Sequence, residues 1–319
     1  MSQHSGIKAV IAAMSANIAI AVMKLVAWLL TGAASMLAEA IHSFADSANQ
    51  ILILIGGKAA SKKADDLHPF GFGRDRYIAG FMVAIILFSM GGLFALYEAY
   101  HKFKEVRAGH PNDLLESVWW WVPLVVLAGS IIAESLSLRT AVHESKPLKG
   151  KQGWFRFIRT SKSPELPVIL LEDTAALLGL AFALIGVGMT LLTGVGYWDV
   201  VGSGAIGILL IIVAVILASE TKSLLLGEAA SPEHVAQIES AIAGTPGIEK
   251  VIYLKTVHLG PEEIMVAAKI AVPPALLAAD LADLINLAEA AVRGTVPMVG
   301  PMYLEPDVLR ENEAAVTSE

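Results

Sequence analysis

The hydrophobic positions of the chain are gathered in six runs that short polar segments separate. The runs cover Ile7–Leu30, Met36–Ile55, Ile78–Tyr97, Val118–Leu138, Val168–Leu192 and Val200–Ala218. Each run has about 20 residues, and a helix of that length can cross a hydrocarbon core about 30 Å thick. The pattern therefore predicts six transmembrane helices.

The second run differs from the others because it carries four polar side chains, Glu39, His42, Asp46 and Asn49. At 100° per residue these four lie within an arc of about 80°, so they form one stripe along a helix. An ionisable side chain inside a bilayer is costly and is found mainly where a function requires it. The stripe therefore indicates a buried, cation-binding path through a membrane.

The composition agrees with a membrane protein. Of the 319 residues, 55% are hydrophobic and 17% are charged, whereas soluble domains have about 25% charged residues. The absence of cysteine excludes disulfides and thiolate metal sites. The first run contains Asn17 and Lys24 and lacks the pattern of a cleaved leader, so we expect it to be a span. No Arg-rich presequence precedes it, which favours a prokaryotic plasma membrane over an organelle.

Lysine and arginine between the runs predict the orientation of the helices, because they favour the cytoplasmic side. The loops after the second and fourth runs are rich in basic residues, whereas Thr31–Ser35 and Thr193–Trp198 have none. These basic residues are Lys58, Lys62, Lys63, Arg74 and Arg76 in one loop and Lys146, Lys149, Lys151, Arg156, Arg159 and Lys162 in the other. We therefore expect both termini in the cytoplasm. The second loop also contains Trp154, Phe155 and Phe157, which is typical of an interfacial segment at anionic lipid headgroups.

A change of composition after Gly227 predicts a separate domain. Ser231 before Pro232 is typical of a helix start, and that helix should end near Ala243. The remaining predicted elements are strands at Lys250–Leu259 and Glu263–Val272, a helix at Leu276–Val292 and a strand at Met298–Leu304. This α-β-β-α-β order predicts a small α+β domain with its helices on one face of a sheet. We divide the chain into a transmembrane domain, residues 1–227, and a cytoplasmic domain, residues 228–319, with a disordered C-terminal tail.

Four strings carry a family resemblance. They are SMLAEAIHSFADSANQ in the second run, HPFGFGRDRY after it, LLEDTAALLG in the fifth run and WDVVGS at the start of the sixth. With six spans and the α-β-β-α-β domain, the chain resembles the cation diffusion facilitators, and most of all the branch that contains the animal mitochondrial zinc transporter. The resemblance covers nearly the whole chain. It implies a homodimeric transporter, not an enzyme, that exchanges a divalent metal cation, usually zinc, for protons.

His42 and Asp46 are the first two metal ligands under this interpretation. They lie four residues apart on one helix face, so a ring nitrogen and a carboxylate oxygen can meet at one ion. Asp173 in the fifth run would add a ligand from a second helix, and zinc accepts such a mixed set of nitrogen and oxygen atoms. Because histidine titrates near neutral pH, protons and metal can compete for the site, which is the physical basis of antiport.

The fourth ligand stays open between Glu172, Glu39 and a water molecule. Many family members carry a histidine four residues before the aspartate of the fifth run, where this chain has Ile169. Glu172 lies about 60° from Ile169 around the helix and has a long side chain. Glu39 can instead support the histidine through a hydrogen bond or pair with Lys24. Asn49 is expected to form a hydrogen bond between helices.

Several other polar residues are given structural roles. His68, which precedes Pro69 and Gly71, is expected to shape a turn, and Asp199 is expected to cap the sixth helix. The C-terminal domain is interpreted as a packing and dimerisation domain without a metal cluster. Its scattered candidate ligands are His234, His258, Glu305 and Asp307.

The sequence suggests three candidate functions. A metal/proton antiporter explains the polar stripe, the acidic fifth run and the C-terminal domain together. A membrane metal hydrolase would need a general base beside metal-bound water, and the chain has no HExxH motif. A membrane sensor or scaffold with a static ion is the alternative.

We therefore expect an exporter that acts from the cytoplasm outward, a direction that rests on the resemblance. Its partners would be a divalent cation, protons, the lipid bilayer and a second copy of the chain, without nucleic acid or a resident cofactor. Zinc is the favoured ion, and manganese, iron and cobalt are the alternatives.

Overall fold

The computed structural model describes residues 3–110 and 113–309, with side chains from residue 17 onwards. Its first part consists of helices α1 (Gln3–Thr31), α2 (Ala34–Ala60), α3 (Asp75–Ile86), α4 (Phe94–Arg107), α5 (Asp113–Glu116), α6 (Val122–Lys149), α7 (Trp154–Thr160), α8 (Glu165–Thr193) and α9 (Tyr197–Leu226). A π-helical segment, Leu87–Leu93, joins α3 and α4 into one long helix. The second part consists of α10 (Pro232–Ala243), β1 (Lys250–Gly260), β2 (Glu263–Ala271), α11 (Ala278–Thr295) and β3 (Val299–Asp307). The predicted disordered tail falls on residues 310–319, outside the described residues.

Each predicted hydrophobic run lies in one long helix, except that the fourth run begins four residues before its helix. Among the described residues, four helices are long and apolar enough to cross a membrane, namely Asp75–Arg107, α6, α8 and α9. Helix α1 has a shorter apolar stretch, Asn17–Thr31, and the 27-residue α2 carries the polar stripe. Membrane crossing by α1 and α2 therefore stays a prediction. Helix α6 begins at Val122 rather than at Val118, because Pro123 suits the first turn of a helix, where its missing N–H is not needed.

The helical part is packed around α6, α8 and α9. Helix α6 packs against α8 and α1, and the core contains Leu127, Leu180 and Leu210. The backbones of α8 and α9 lie close together at Gly202. A Cβ atom at this position would lie only 2.9 Å from the carbonyl oxygen of Phe182. Such an approach of two backbones is typical of helix pairs in membranes.

The role of Asp199 differs from the prediction that it caps its own helix, α9. Its carboxylate accepts hydrogen bonds from the backbone N–H groups of Ala34, at 2.6 Å, and Ser35, at 3.2 Å, and from the Ser35 hydroxyl. It therefore caps α2, because the free N–H groups at a helix start can be satisfied by a carboxylate from any neighbouring element. This contact fixes the start of the helix that carries the polar stripe.

The C-terminal domain has the predicted α-β-β-α-β order. The sheet order is β1-β2-β3, with β1 and β2 antiparallel and β2 and β3 parallel. The Ser231 hydroxyl accepts a hydrogen bond from the N–H of His234 at 3.2 Å, which confirms the predicted start of α10. In β2 every second residue is buried, including Ile264, Val266 and Ile270, which belong to a core with residues of α10 and α11. The period of two places the helices on one face of the sheet.

Three of the four candidate ligands of this domain, Asp307, Glu305 and His258, have other partners. The carboxylate of Asp307 lies 2.8 Å from the ammonium group of Lys269 and raises the pKa of that lysine, with a contribution from Glu305. The Glu305 carboxylate also accepts a hydrogen bond from the Tyr253 hydroxyl at 3.1 Å. His258 is buried, with Nδ1 3.2 Å from a backbone carbonyl oxygen.

The chain divides into two compact units. One contains the chain up to Gly57 and Tyr77–Lys222, and the other joins Lys58–Arg76 to the chain from Ser223 onwards. The loop between α2 and α3 therefore belongs to the same unit as the C-terminal domain. The predicted division at residue 227 instead assigns this loop to the transmembrane domain. In this unit the guanidinium of Arg76 lies 3.6 Å from the carboxylate of Glu262.

His68 shapes the turn in this loop, as predicted. The Asp65 carboxylate accepts hydrogen bonds from the backbone N–H groups of His68, at 2.6 Å, and Leu67, at 3.1 Å. The imidazole of His68 also faces this carboxylate at 3.1 Å. The bond from the backbone of His68 is the main cause that lowers the pKa of Asp65. The histidine therefore has a local structural partner.

Candidate metal centre

A cavity of about 460 Å³ lies among α1, α2, α6 and α8, with acidic and apolar side chains in its wall. Three of the four predicted ligands, Asp46, Glu172 and Asp173, line it. Its wall extends to Leu54 and Glu144, near the C-terminal ends of α2 and α6. The cavity thus brings acidic side chains of α2, α6 and α8 to one space.

His42 and Asp46 are neighbours, as their spacing predicts. Nδ1 of His42 lies 3.5 Å from Oδ1 of Asp46, which is longer than an ordinary hydrogen bond. His42 is 1% exposed, and neither of its ring nitrogens has a hydrogen-bond partner among the described residues. Unpaired polar atoms in a protein interior are costly and uncommon. A bound ion would satisfy both side chains.

Glu172 and Asp173 are held by different helices. The side-chain amide of Asn49 donates a hydrogen bond of 2.6 Å to Glu172, which confirms that Asn49 links α2 to α8. The hydroxyl of Ser137 on α6 donates one of 2.9 Å to Asp173. Adjacent residues of a helix point about 100° apart, so each carboxylate meets a different neighbour.

Glu39 is paired with Lys24, one of the three roles that the sequence suggests for it. The Lys24 ammonium donates hydrogen bonds to Glu39, at 2.9 Å, and to the hydroxyl of Ser43, at 2.8 Å. Lys24 and Glu39 are 1% and 0% exposed, so the whole ion pair is buried. Glu39 is thus neutralised by a lysine and is not among the residues that line the cavity, whereas Glu172 lines it. Glu39 is therefore a weaker candidate for the fourth ligand than Glu172.

Replacing Gly179 by alanine is expected to destabilise the protein. A Cβ atom at this position would lie 2.6 Å from Oε1 of Glu39 and would push against the buried ion pair. Overpacking of this kind costs about 1–3 kcal/mol, which a lower unfolding midpoint in detergent would report. Gly188 is on the same helix and has nothing within 4 Å of its Cβ position, so Gly188→Ala is the matched control. Equal midpoints for the two variants would contradict this description of the packing.

The four predicted ligands do not form a preformed metal site. In the part of the chain that the structure describes, no three His, Cys, Asp or Glu side chains lie close enough together to hold a metal ion. His42 contacts Asp46, and Asp46 shares the cavity with Glu172 and Asp173. The complete ligand set therefore stays a prediction.

Glu134 is a residue at this cavity that the sequence interpretation missed. It lies on α6 and lines the same space as Asp46 and Asp173. The signal was available, because Glu134 is an acidic residue inside the predicted fourth run, Val118–Leu138. An ionisable residue inside a membrane span indicates a functional site, and this rule applies to Glu134 as it does to the acidic residues of the second and fifth runs.

Residues 10–226 match the family model of the cation efflux transmembrane domain. The chain is similar to a protein of Xenopus laevis described as "Proton-coupled zinc antiporter SLC30A9, mitochondrial", with 31% identity over 249 residues, 77% of this chain and 43% of the relative. The human protein of the same description is 32% identical over 249 residues, 77% of this chain and 42% of the relative. "Metal tolerance protein C4" of Arabidopsis thaliana is 26% identical over 270 residues, 84% of this chain and 57% of the relative. The chain thus spans less than half the length of these animal relatives.

The matched segment contains α2, α6 and α8, and with them the cavity and its acidic residues. It also contains the helices that are long and apolar enough to cross a membrane, which makes the chain a multi-pass membrane protein. The resemblance seen in the sequence is therefore confirmed. The chain belongs to the cation diffusion facilitator family, whose members are membrane transporters of metal cations and not enzymes.

Proposed function

We propose that the chain exports a divalent metal cation, with zinc as the favoured ion, from the cytoplasm in exchange for protons. The observation that carries this proposal is the cavity among the helices, which Asp46, Glu172 and Asp173 line. Carboxylates in a bilayer are costly unless a cation or another partner compensates their charge. A cavity that is lined by them suits the passage of a cation.

The proposed ligands are His42 and Asp46 of α2 with Asp173 and Glu172 of α8. The unpartnered ring nitrogens of His42 support its assignment. One imidazole and three carboxylates form a set that zinc accepts, and manganese, iron and cobalt are the alternatives. The hydrogen bonds of Glu172 to Asn49 and of Asp173 to Ser137 would be exchanged for the metal when it binds.

The cavity also supports a direction of access. It extends toward the C-terminal ends of α2 and α6, and a loop rich in lysine and arginine follows each of these helices. We propose that these ends and both termini lie on the cytoplasmic side of six membrane-spanning helices, because basic loops prefer that side. The conformation is then open toward the cytoplasm, and a shift of α8 against α2 would close it, as alternating access requires.

The animal relatives are described as proton-coupled zinc antiporters, which supports zinc and protons as the exchanged ions. We propose a homodimer, because the small C-terminal domain has a modest core to which a second copy would add. The membrane is proposed to be a prokaryotic plasma membrane.

Metal uptake into proteoliposomes with an imposed pH gradient tests this function. Zinc, manganese, iron and cobalt would be compared, with Asp173→Ala as the inactive variant. We expect a flux that depends on the gradient, that is largest for zinc and that the variant loses. A folded protein without flux for any of the four ions would contradict transport and favour a static metal sensor.

A further inference from the structure

Helix α6 directs one polar face to the cavity. Four of its residues, Glu134, Ser137, Thr140 and Glu144, line the cavity. On a helix these four lie within an arc of about 120°. Other positions of α6 carry large apolar side chains that are exposed, as expected for a surface that contacts lipid: Val125, Ile132 and Leu136. The helix therefore separates a lipid side from a side that faces the cavity.

Glu134 is the most buried of these four polar residues. No hydrogen bond or salt bridge joins its carboxylate to another residue in the part of the chain that the structure describes. The nearby ammonium of Lys24 is already held by Glu39 and Ser43. Glu134 shares the cavity with Asp46, whose neighbour His42 has unpartnered ring nitrogens at 1% exposure. An acidic side chain and an unsatisfied imidazole next to the same cavity both indicate a cationic ligand.

We propose that Glu134 is a further cation-binding residue, which supplies a carboxylate oxygen from a third helix to the divalent cation in this cavity. The proposal rests on the proposed function, because it adds a residue to the same site. Asp46 of α2, Asp173 of α8 and Glu134 of α6 would then bring carboxylates from three helices to one ion. The Coulomb energy scales with the product of the charges, so each added carboxylate favours a divalent over a monovalent cation. Glu134 therefore contributes to the preference for divalent ions.

Zinc binding by the purified full chain, measured by titration calorimetry, tests the role of Glu134. Glu134→Gln keeps the size of the side chain and removes its charge. We expect the Kd for zinc to rise by about 10- to 100-fold, the range seen when a residue that supports a metal site is lost. Zinc flux into proteoliposomes should show the same change in its apparent KM and a smaller change in its maximal rate. Glu116→Gln, an exposed residue of α5, makes the same charge change and should bind zinc like the wild type.

Two further variants separate the possible outcomes. Glu134→Asp keeps the charge and is expected to bind zinc more tightly than Glu134→Gln does. An equal loss of zinc affinity in both Glu134 variants, or a loss of folding in both, would show a structural role and overturn the proposal. Zinc binding by Glu134→Gln at wild-type affinity, while Asp46→Asn loses binding, would overturn the role of Glu134 and leave the proposed function intact. A wild-type protein that neither binds nor transports zinc would overturn both.

Discussion

Replacing Asp46 by asparagine is expected to reduce zinc flux to the background of empty vesicles, a loss of at least about 100-fold. Asp46 is the residue that both contacts His42 and lines the cavity with Glu172 and Asp173. Asparagine keeps the shape of the side chain but provides a neutral oxygen, so the charge that attracts a divalent cation is lost. The measurement is the initial rate of zinc uptake into proteoliposomes with an acidic interior.

The control for this prediction is Asp66→Asn. Asp66 lies in the loop between α2 and α3 and is exposed, so the same chemical change should leave the flux as in the wild type. Melting curves of both variants in detergent show whether each is folded. Full flux in a folded Asp46→Asn protein would contradict the assignment of the site.

Lys24→Met is expected to lower the free energy of unfolding more than Gly179→Ala does. The Lys24 ammonium pairs with Glu39 at 2.9 Å, and both side chains are almost fully buried. Removing one partner leaves an uncompensated charge in the interior, which costs about 3–5 kcal/mol. Denaturant unfolding in detergent micelles would report this loss as a lower midpoint.

The double variant Lys24→Met/Glu39→Gln shows whether the pair itself is the cause. Replacing both partners of a buried ion pair is often nearly neutral, so we expect the double variant to recover most of the lost stability. The losses of unfolding free energy in Lys24→Met and in Glu39→Gln could instead simply add in the double variant. Such additivity would indicate no coupling between the two residues. That result would contradict the described ion pair.

The part of the site on α2 could be predicted because its information is local. His42 and Asp46 are four residues apart, and the helical period alone brings them together. The pairing of Lys24 with Glu39 is one of the three roles that the sequence leaves open for Glu39. The C-terminal domain was predictable for a similar reason, because Ser231, the glycine and proline residues and the alternation in β2 each act over a few residues.

The parts that could not be predicted depend on contacts between distant elements. Asp199 caps α2 across more than 160 residues, and nothing near Asp199 in the sequence indicates this. Asn49 could be expected to bond to another helix, but its partner Glu172 could not be named in advance. Glu134 was overlooked although its signal was present, because α6 otherwise appears as one of several apolar runs.

The coupling of zinc to protons tests the central claim most directly. Proteoliposomes would contain a pH indicator and a zinc indicator, and zinc would be added outside while the interior is acidic. We predict that zinc enters and that the interior becomes more alkaline at the same time, with both signals absent in Asp46→Asn. Zinc entry without a change of internal pH would contradict proton exchange, and the absence of zinc entry would contradict transport.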